Sequence, residues 1–111
     1  MIKITAYIKP YKLEPVKSAI AAEGVNGLSV GDVRGTGNST ESSSIFSGQG
    51  VLALPIRARL EAVVPDELAE PVVAAILASC STGESDDGKI FLERVEDAVR
   101  IRTMERGDHA V

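Results

Sequence analysis

The sequence is poor in the side chains on which most catalytic and metal sites depend, with one cysteine, one histidine and no tryptophan. A lone Cys80 excludes an internal disulfide framework and a four-thiolate metal site, and we expect it to be a small buried residue near a helix end. His109 lies near the C-terminus, where we expect a mobile tail, so no Ser-His or Cys-His pair can be assembled around it. We therefore expect no catalytic residues, no metal ligands and no enzymatic activity.

Long apolar runs and a surplus of cations are also absent. No run approaches the length of a membrane span, and the first residues lack the features of a secretory signal, which predicts a cytoplasmic protein. The formal net charge is -4, whereas non-specific binding to nucleic acids needs excess cations. The central strands also lack the aromatic side chains on which RNA bases stack. We expect no nucleic-acid partner, and any phosphate site must be local.

The chain is long enough for one domain, which we place at residues 1–111. Its core must be aliphatic, because aromatic residues make up only 4% of the 111 residues. A core of Val, Ile, Leu and Ala is typical of a β-sheet covered by helices. A chain of this size also gains from a symmetric oligomer that buries further apolar surface.

Apolar periodicity predicts the regular elements. In chain order they are a strand at 2–8, a helix from 13 that Gly24 ends, strands at 28–34 and 56–64, a helix from 66 to about 80, and a strand at 89–95. The order βαββαβ, with both helices on one face of an antiparallel sheet, predicts an α+β class and a ferredoxin-like sandwich. A short extended piece should follow, with Val99 and Ile101 pointing inward.

A polar stretch without periodicity separates the second and third strands, from the Gly35-Thr36-Gly37 corner to Gly50. An excursion of this length in a compact domain is usually functional or mobile.

Cations and glycine-rich turns together predict a local phosphate site. Arg57 and Arg59 share one face of the third predicted strand, and Lys89 opens the last strand. Arginine forks suit phosphate oxygens, and glycine-rich segments allow backbone amides to approach a ligand closely. The alternative is a solvated sheet face on which these cations pair with Glu61, Glu93 and Glu96.

The segment Gly83 to Lys89 matches the pattern G-x-x-x-x-G-K, but it is not a P-loop. Ile90 stands where a P-loop has Ser or Thr, and the following run predicts a strand rather than a helix. The carboxylates of Glu84, Asp86 and Asp87 are interpreted as a solvated turn rather than a metal site. A small acyl-phosphate hydrolase on the same fold stays open, because an arginine with backbone amides could hold a phosphate.

Segments spread over nearly the whole chain resemble the PII signal-transduction family. They are Ile4 to Leu13 with Lys9-Pro10, Val33-Arg34-Gly35-x-Gly37, Val63-Val64-Pro65-Asp66, Thr82-Gly83 with Asp87-Gly88-Lys89-Ile90-Phe91, and Val99 to Thr103. The resemblance implies a ferredoxin-like homotrimer with an adenine nucleotide, ADP, AMP or ATP, in each cleft between subunits. It also implies a T-loop at about 38–54 that binds a membrane transporter or metabolic enzyme, a B-loop at 82–88 and a C-terminal segment at 99–111.

The nucleotide contacts implied by matching positions come from several parts of the chain. They are Gly27, Leu28, Ser29, Gly35, Thr36, Gly37, Glu61, Val63, Asp87, Gly88, Lys89, Arg100 and Arg102.

Departures from the family pattern modify these expectations. The T-loop tip, Ile45 to Val51, lacks the modifiable tyrosine, which argues against uridylylation. Ser39 occupies the position of the glutamine that helps to hold magnesium and 2-oxoglutarate. Glu84 replaces a lysine and Asp86 a glycine, and added carboxylates repel a triphosphate more than a diphosphate or monophosphate. We therefore expect ADP and AMP to be favoured.

The tip residues Ser47-Gly48-Gln49 are similar to those of PII-like proteins associated with bicarbonate transporters and carboxysomes, a subgroup that senses inorganic carbon. Bicarbonate is accordingly the expected second effector. Its candidate contacts are Gly37, Asn38, Ser39, Arg57 and Arg59. The alternatives are a nitrogen-responsive PII that senses ATP and 2-oxoglutarate without uridylylation, and a PII-like regulator of another transporter.

Overall fold

Four strands and two helices follow one another in the predicted order in the computed structural model, which describes residues 1–37, 54–84 and 86–111. They are β1 (Ile2–Ile8), α1 (Leu13–Ala22), β2 (Ser29–Arg34), β3 (Ile56–Val64), α2 (Asp66–Cys80) and β4 (Gly88–Arg94). Short 3-10 turns at Pro10–Lys12 and Gly107–Ala110 precede α1 and follow β4. Almost all of the predicted T-loop, 38–53, lies outside the described residues.

The strands form one sheet in the order β2-β3-β1-β4, and every neighbouring pair is antiparallel. This order, with α1 and α2 packed on the sheet, confirms the ferredoxin-like α+β fold. Ile8 lies opposite both Ala58 and Gly88, so the C-terminal end of β1 meets the beginning of β4. At the other end of the sheet, Ile2 lies opposite Val64 and Arg94.

The core lies between the sheet and the helices, as the strand alternation predicts. The even-numbered residues at 4–8 of β1 and 58–64 of β3, such as Ile4 and Leu60, are buried, and they pack against Val16, Ile20 and Ile76 of the helices. Ile56, at the start of β3, is about half-exposed instead. Cys80 is buried at the end of α2, which confirms its predicted position. Burial raises the pKa of its thiol, which keeps the thiol protonated at neutral pH.

The helix ends follow local chemistry. Gly24 has a φ of 91°, which favours glycine, and its N–H donates to the Ala21 carbonyl just after α1 ends. Asp66 and Glu67 occupy the first turn of α2, where negative charge suits the helix dipole. Pro71 lies within α2, yet the helix runs unbroken from Asp66 to Cys80. Among the described residues, no helix combines the length and apolarity needed to cross a membrane.

The C-terminal segment corrects one prediction. Residues 99 to 106 form a hairpin-like loop closed by a bridge between Val99 and Arg106, with a turn at 101–103 instead of an extended piece. Ile101, predicted to point inward, is 94% exposed at the turn, and Val99 is half-exposed. The apolar alternation at 99–102 could not predict this loop. The loop is closed by the carboxylate of Asp97, which lies outside those four residues. His109 lies in the final 3-10 turn rather than in a mobile tail.

Candidate functional site

Two cavities contain most of the described residues that were predicted to bind ligands. The glycine cavity, of about 620 Å³, is lined by Tyr7, Val33, Arg34, Gly35, Thr36, Gly37, Arg57, Arg59, Asp86, Gly88, Lys89 and Phe91. The C-terminal cavity, of about 540 Å³, is lined by Gly24, Val25, Asn26, Gly27, Val63, Val64, Pro65, Leu68, Arg100, Ala110 and Val111.

The glycine cavity lies at the end of the sheet where β2 and β1 finish and β3 and β4 begin. Antiparallel pairing places Arg34 opposite Ile56 and Ile8 opposite Gly88. The Gly35 to Gly37 corner therefore comes close to the start of β4, although the two are about fifty residues apart in the chain. Arg57, Arg59 and Lys89 add positive charge to the same cavity. The structure thus brings together the residue types predicted to hold phosphate.

The C-terminal cavity collects a second part of the predicted set, namely Gly27, Val63 and Arg100. The remaining described members line neither cavity. They are Leu28, Ser29, Glu61, Asp87 and Arg102.

Glu61 has partners on its own sheet face. Its carboxylate oxygens lie 3.4 Å from Arg59 Nε and 3.8 Å from Lys3 Nζ. The alternative of a solvated, ion-paired sheet face is therefore realised at this position. Surface pairs of this kind contribute little to stability.

The strand register separates the two cavities. Gly88 lies opposite Ile8 of β1, and Val63 lies opposite Lys3 of the same strand. Five residue steps along a strand span about 17 Å at roughly 3.3 Å per residue. The two parts of the predicted nucleotide site therefore lie toward opposite ends of one chain's sheet.

Asp87 organises the turn that precedes β4. Its carboxylate accepts hydrogen bonds from the Thr82 amide at 2.7 Å, from the Gly83 amide at 3.0 Å and from the Thr82 hydroxyl. These bonds, chiefly those from Thr82, hold the pKa of Asp87 below its usual range. The Asp87 side chain thus shapes the turn.

Lys9 is a cavity-side residue that no sequence pattern predicted. Its side chain is buried, and its Nζ lies 2.9 Å from Glu84, 3.1 Å from Asp86 and 3.7 Å from Asp87. Hydrogen bonds with Glu84 and Asp86 raise the pKa of Lys9 well above its usual value. The carboxylates predicted to face the phosphates are therefore in contact with a cation some 75 residues away in the chain.

An aromatic pair forms another part of the glycine cavity. The Tyr7 and Phe91 rings meet edge to face, with centroids 6.1 Å apart and an interplanar angle of 84°. Because β1 is a central strand of the sheet, the expectation that the central strands lack aromatic side chains was wrong. The alternation of β1 could have revealed Tyr7, because odd-numbered residues face away from the core and Tyr7 lies opposite Arg59 and Lys89. The predicted anion contacts Asn38 and Ser39, and the tip at 45–51, lie outside the described residues.

Comparisons with known proteins agree over the whole chain. The model of the family described as "Nitrogen regulatory protein P-II" matches residues 1–105. The chain is 43% identical to a nitrogen regulatory protein P-II of Cereibacter sphaeroides, and the alignment covers 100% of both. It is 42% identical to nitrogen regulatory protein P-II 2 of Methanothermobacter thermautotrophicus, covering 100% of this chain and 97% of the relative. Nitrogen regulatory protein P-II 1 of Escherichia coli K12 is 38% identical over 100% of both chains.

Proposed function

Because the chain belongs to the P-II family of nitrogen regulatory proteins, we propose that it is a signalling protein whose homotrimer binds an adenine nucleotide between subunits. The observation that carries this proposal is the separation of the glycine cavity from the C-terminal cavity along the sheet. Each cavity holds part of one expected site, so the complete site needs the glycine cavity of one subunit and the C-terminal cavity of the next.

This arrangement has a consequence for symmetry. A contact between two different surfaces of identical chains is head-to-tail, and it closes into a ring when the rotation permits. A cyclic trimer places one complete site at each interface. Arg100 then reaches the nucleotide from the subunit that does not supply Lys89. The expected mass in light scattering is three times the 11.7 kDa of one chain, independent of concentration in the micromolar range.

The charges favour ADP or AMP over ATP. Lys89 and the amides of the Gly35 to Gly37 corner suit the first phosphates of the ligand. Glu84, Asp86 and Asp87 outnumber Lys9 at the adjoining turn, so a third phosphate that extends from Lys89 toward this turn meets net negative charge there. Calorimetry with ATP, ADP and AMP tests this order, and ATP binding tenfold more tightly than ADP contradicts it.

Mixed trimers test the shared site directly. Lys89→Ala and Arg100→Ala chains, each assembled alone, should bind nucleotide weakly, because every cleft lacks one cation. Trimers refolded from equal amounts of the two variant chains should regain nucleotide binding in about one quarter of their clefts. These are the clefts in which an intact Lys89 of one chain faces an intact Arg100 of the next. A site contained within one chain gives no recovery, since neither chain then carries both residues.

We propose bicarbonate as the second effector, so that the protein reports inorganic-carbon or energy status to a transporter or enzyme through residues 38–54. Arg57, Arg59 and Gly37 line the glycine cavity, and an arginine fork suits a planar oxyanion. Nucleotide titrations in bicarbonate against chloride, at constant pH and ionic strength, should reveal mutual enhancement that Arg57→Ala removes. Equal affinities in the two salts refute this second effector.

A nitrogen-responsive protein that senses ATP and 2-oxoglutarate is the second candidate, favoured by the names of the relatives. The same titrations separate the candidates, since enhancement by 2-oxoglutarate instead of bicarbonate supports it. Steady hydrolysis of nucleotide or acyl phosphate at enzyme-like rates would favour a hydrolase on the same fold.

A further inference from the structure

We propose that Lys9 is a positioning residue that sets the phosphate-number preference of the nucleotide site, by holding and partly neutralising the carboxylates of Glu84 and Asp86 beside the glycine cavity. The inference rests on the proposed nucleotide function and adds a residue and a specificity mechanism to it.

The position of Lys9 is fixed by the sheet. It follows Ile8, the last residue of β1, and Ile8 lies opposite Gly88 at the start of β4. The Lys9 side chain is 10% exposed, and its ammonium group lies within 3.1 Å of carboxylate oxygens of both Glu84 and Asp86. A buried ammonium needs such partners, because an unpaired charge is costly to remove from water. The pairing therefore restrains the turn at 82–88 as well as the lysine.

The arrangement of charges links Lys9 to the ligand cavity. Asp86 belongs to the lining of the glycine cavity, as Lys89 does. The carboxylate of Asp86 lies 3.1 Å from Lys9 Nζ, and the nearby positive charge of Arg57 also lowers its pKa. Asp87 already accepts hydrogen bonds from Thr82 and Gly83. Lys9 thus directly contacts both Glu84 and Asp86, the acidic residues whose side chains do not hold the turn.

Removing the charge of Lys9 has a predictable effect on ligands of different charge. Without Lys9, the carboxylates of Glu84 and Asp86 would lose one compensating positive charge, so the net charge next to the phosphates would become more negative by one unit. Coulomb's law gives a loss of about two- to sixfold per unit of ligand charge, for charges about 8 Å apart at an effective dielectric constant of about 40 to 80. The loss should therefore be largest for ATP, intermediate for ADP and smallest for AMP.

The experiment compares Kd values for ATP, ADP and AMP in the full-length protein and its variants at low salt. Lys9→Met should raise the ratio of the ATP Kd to the AMP Kd by about six- to thirtyfold, which is the Coulomb factor applied to two further phosphate charges. Lys9→Arg should restore the ratio, and raising the salt concentration should reduce the effect. Lys17→Met is the matched control, because Lys17 pairs with Glu14 on α1 and its replacement removes the same net charge elsewhere.

A second variant keeps the test decisive if Lys9→Met does not fold. Glu84→Gln combined with Asp86→Asn, with Lys9 retained, should shift the preference toward ATP, which is the opposite direction. If all three nucleotides weaken equally in Lys9→Met, or if the double variant leaves the ratio unchanged, Lys9 only stabilises the turn and the inference is overturned. If the wild-type protein binds no adenine nucleotide, the proposed function fails instead.

Discussion

Gly88 is the residue at which the backbone leaves no room for a side chain. Its φ is 125°, and a Cβ built there would lie 2.0 Å from the Tyr7 carbonyl oxygen. Both the conformation and the close approach of β1 therefore require glycine. The close approach fixes the start of β4 and, with it, the position of Lys89 in the glycine cavity.

Replacing this glycine should destabilise the protein. We expect Gly88→Ala to lower the free energy of unfolding by about 2 to 5 kcal/mol, from backbone strain and overpacking together. Urea denaturation measures the change. Gly83→Ala is the matched control, because Gly83 has a φ of 82° but no atom within 4 Å of the point that a Cβ would occupy, so it carries the strain without the clash. Equal losses in the two variants would contradict a role for the contact with Tyr7.

At the scale of elements, the hairpin-like loop at 99–106 depends on Asp97. The Asp97 carboxylate lies 2.6 Å from Arg106 Nη1 and accepts hydrogen bonds from the amides of Ala98 at 2.8 Å and Gly107 at 3.1 Å. These contacts join the two ends of the loop that presents Arg100. The loop is therefore held in one conformation by contacts between its two ends.

Loss of the Asp97 contacts should weaken ligand binding more than it lowers the stability of the fold. We expect Asp97→Ala to weaken nucleotide binding by about two- to tenfold, because Arg100 must then be ordered when the ligand binds. Calorimetry measures the affinity, and hydrogen exchange of residues 98–107 should become faster. Asp108→Ala, in the adjacent 3-10 turn, serves as the control. Unchanged exchange in Asp97→Ala would refute the view that this carboxylate holds the loop.

At the scale of the whole molecule, the exposed apolar side chain of Ile101 points to an assembly. It is 94% exposed in the single chain, next to Arg100, which the proposed trimer places at an interface. We expect Ile101→Ser to leave the fold of the chain intact but to raise the dissociation constant of the oligomer at least tenfold, the effect of about 1.5 kcal/mol of lost apolar burial.

Light scattering over a dilution series measures that change. Leu77→Ser provides the comparison, because Leu77 is 54% exposed on α2 and its replacement therefore removes apolar surface from the helical layer. Equal dissociation constants for the two variants would contradict the prediction that Ile101 lies at the interface.

Acid should unfold the protein through several carboxylates whose pKa values lie below the ordinary 3.8 in the folded state. The main causes are the N-terminal ammonium for Asp66, Lys9 for Asp86, Thr82 for Asp87 and Arg106 for Asp97. Because the unfolded chain binds protons more readily, this stability is complete above the unfolded value and is lost as the pH falls through the folded values.

We therefore expect the urea midpoint to change little between about pH 7 and pH 5 and to fall steeply below about pH 4. Asp97→Asn should make that fall shallower, since it removes one titrating group. Glu70→Gln, at an exposed position on α2, is the charge-matched comparison. A urea midpoint that rises on acidification would contradict the lowered pKa values of these carboxylates.

The order of the strands and helices and the buried face of the sheet could be predicted from the residue pattern alone. Alternation in β1 and β3 predicted the buried residues Ile4 and Leu60 and the outward Arg57 and Arg59, because side-chain direction in a strand has a period of two. The glycine-rich corner and the start of β4 were likewise predicted as neighbouring parts of one site, and they line the same cavity. These predictions depend on neighbours along the chain, which a linear pattern records.

Which charged side chains form ion pairs depends on the three-dimensional fold and could not be predicted from the residue pattern. Lys9 and Glu84 are 75 residues apart, and no local pattern encodes an ion pair created by the register of β1 against β4. The loop that exposes Ile101 is likewise closed by Asp97 and Arg106, nine residues apart, so a four-residue alternation gave the wrong direction for its side chain. The separation of the two cavities also follows from strand register, which is a property of the assembled sheet and not of any single strand.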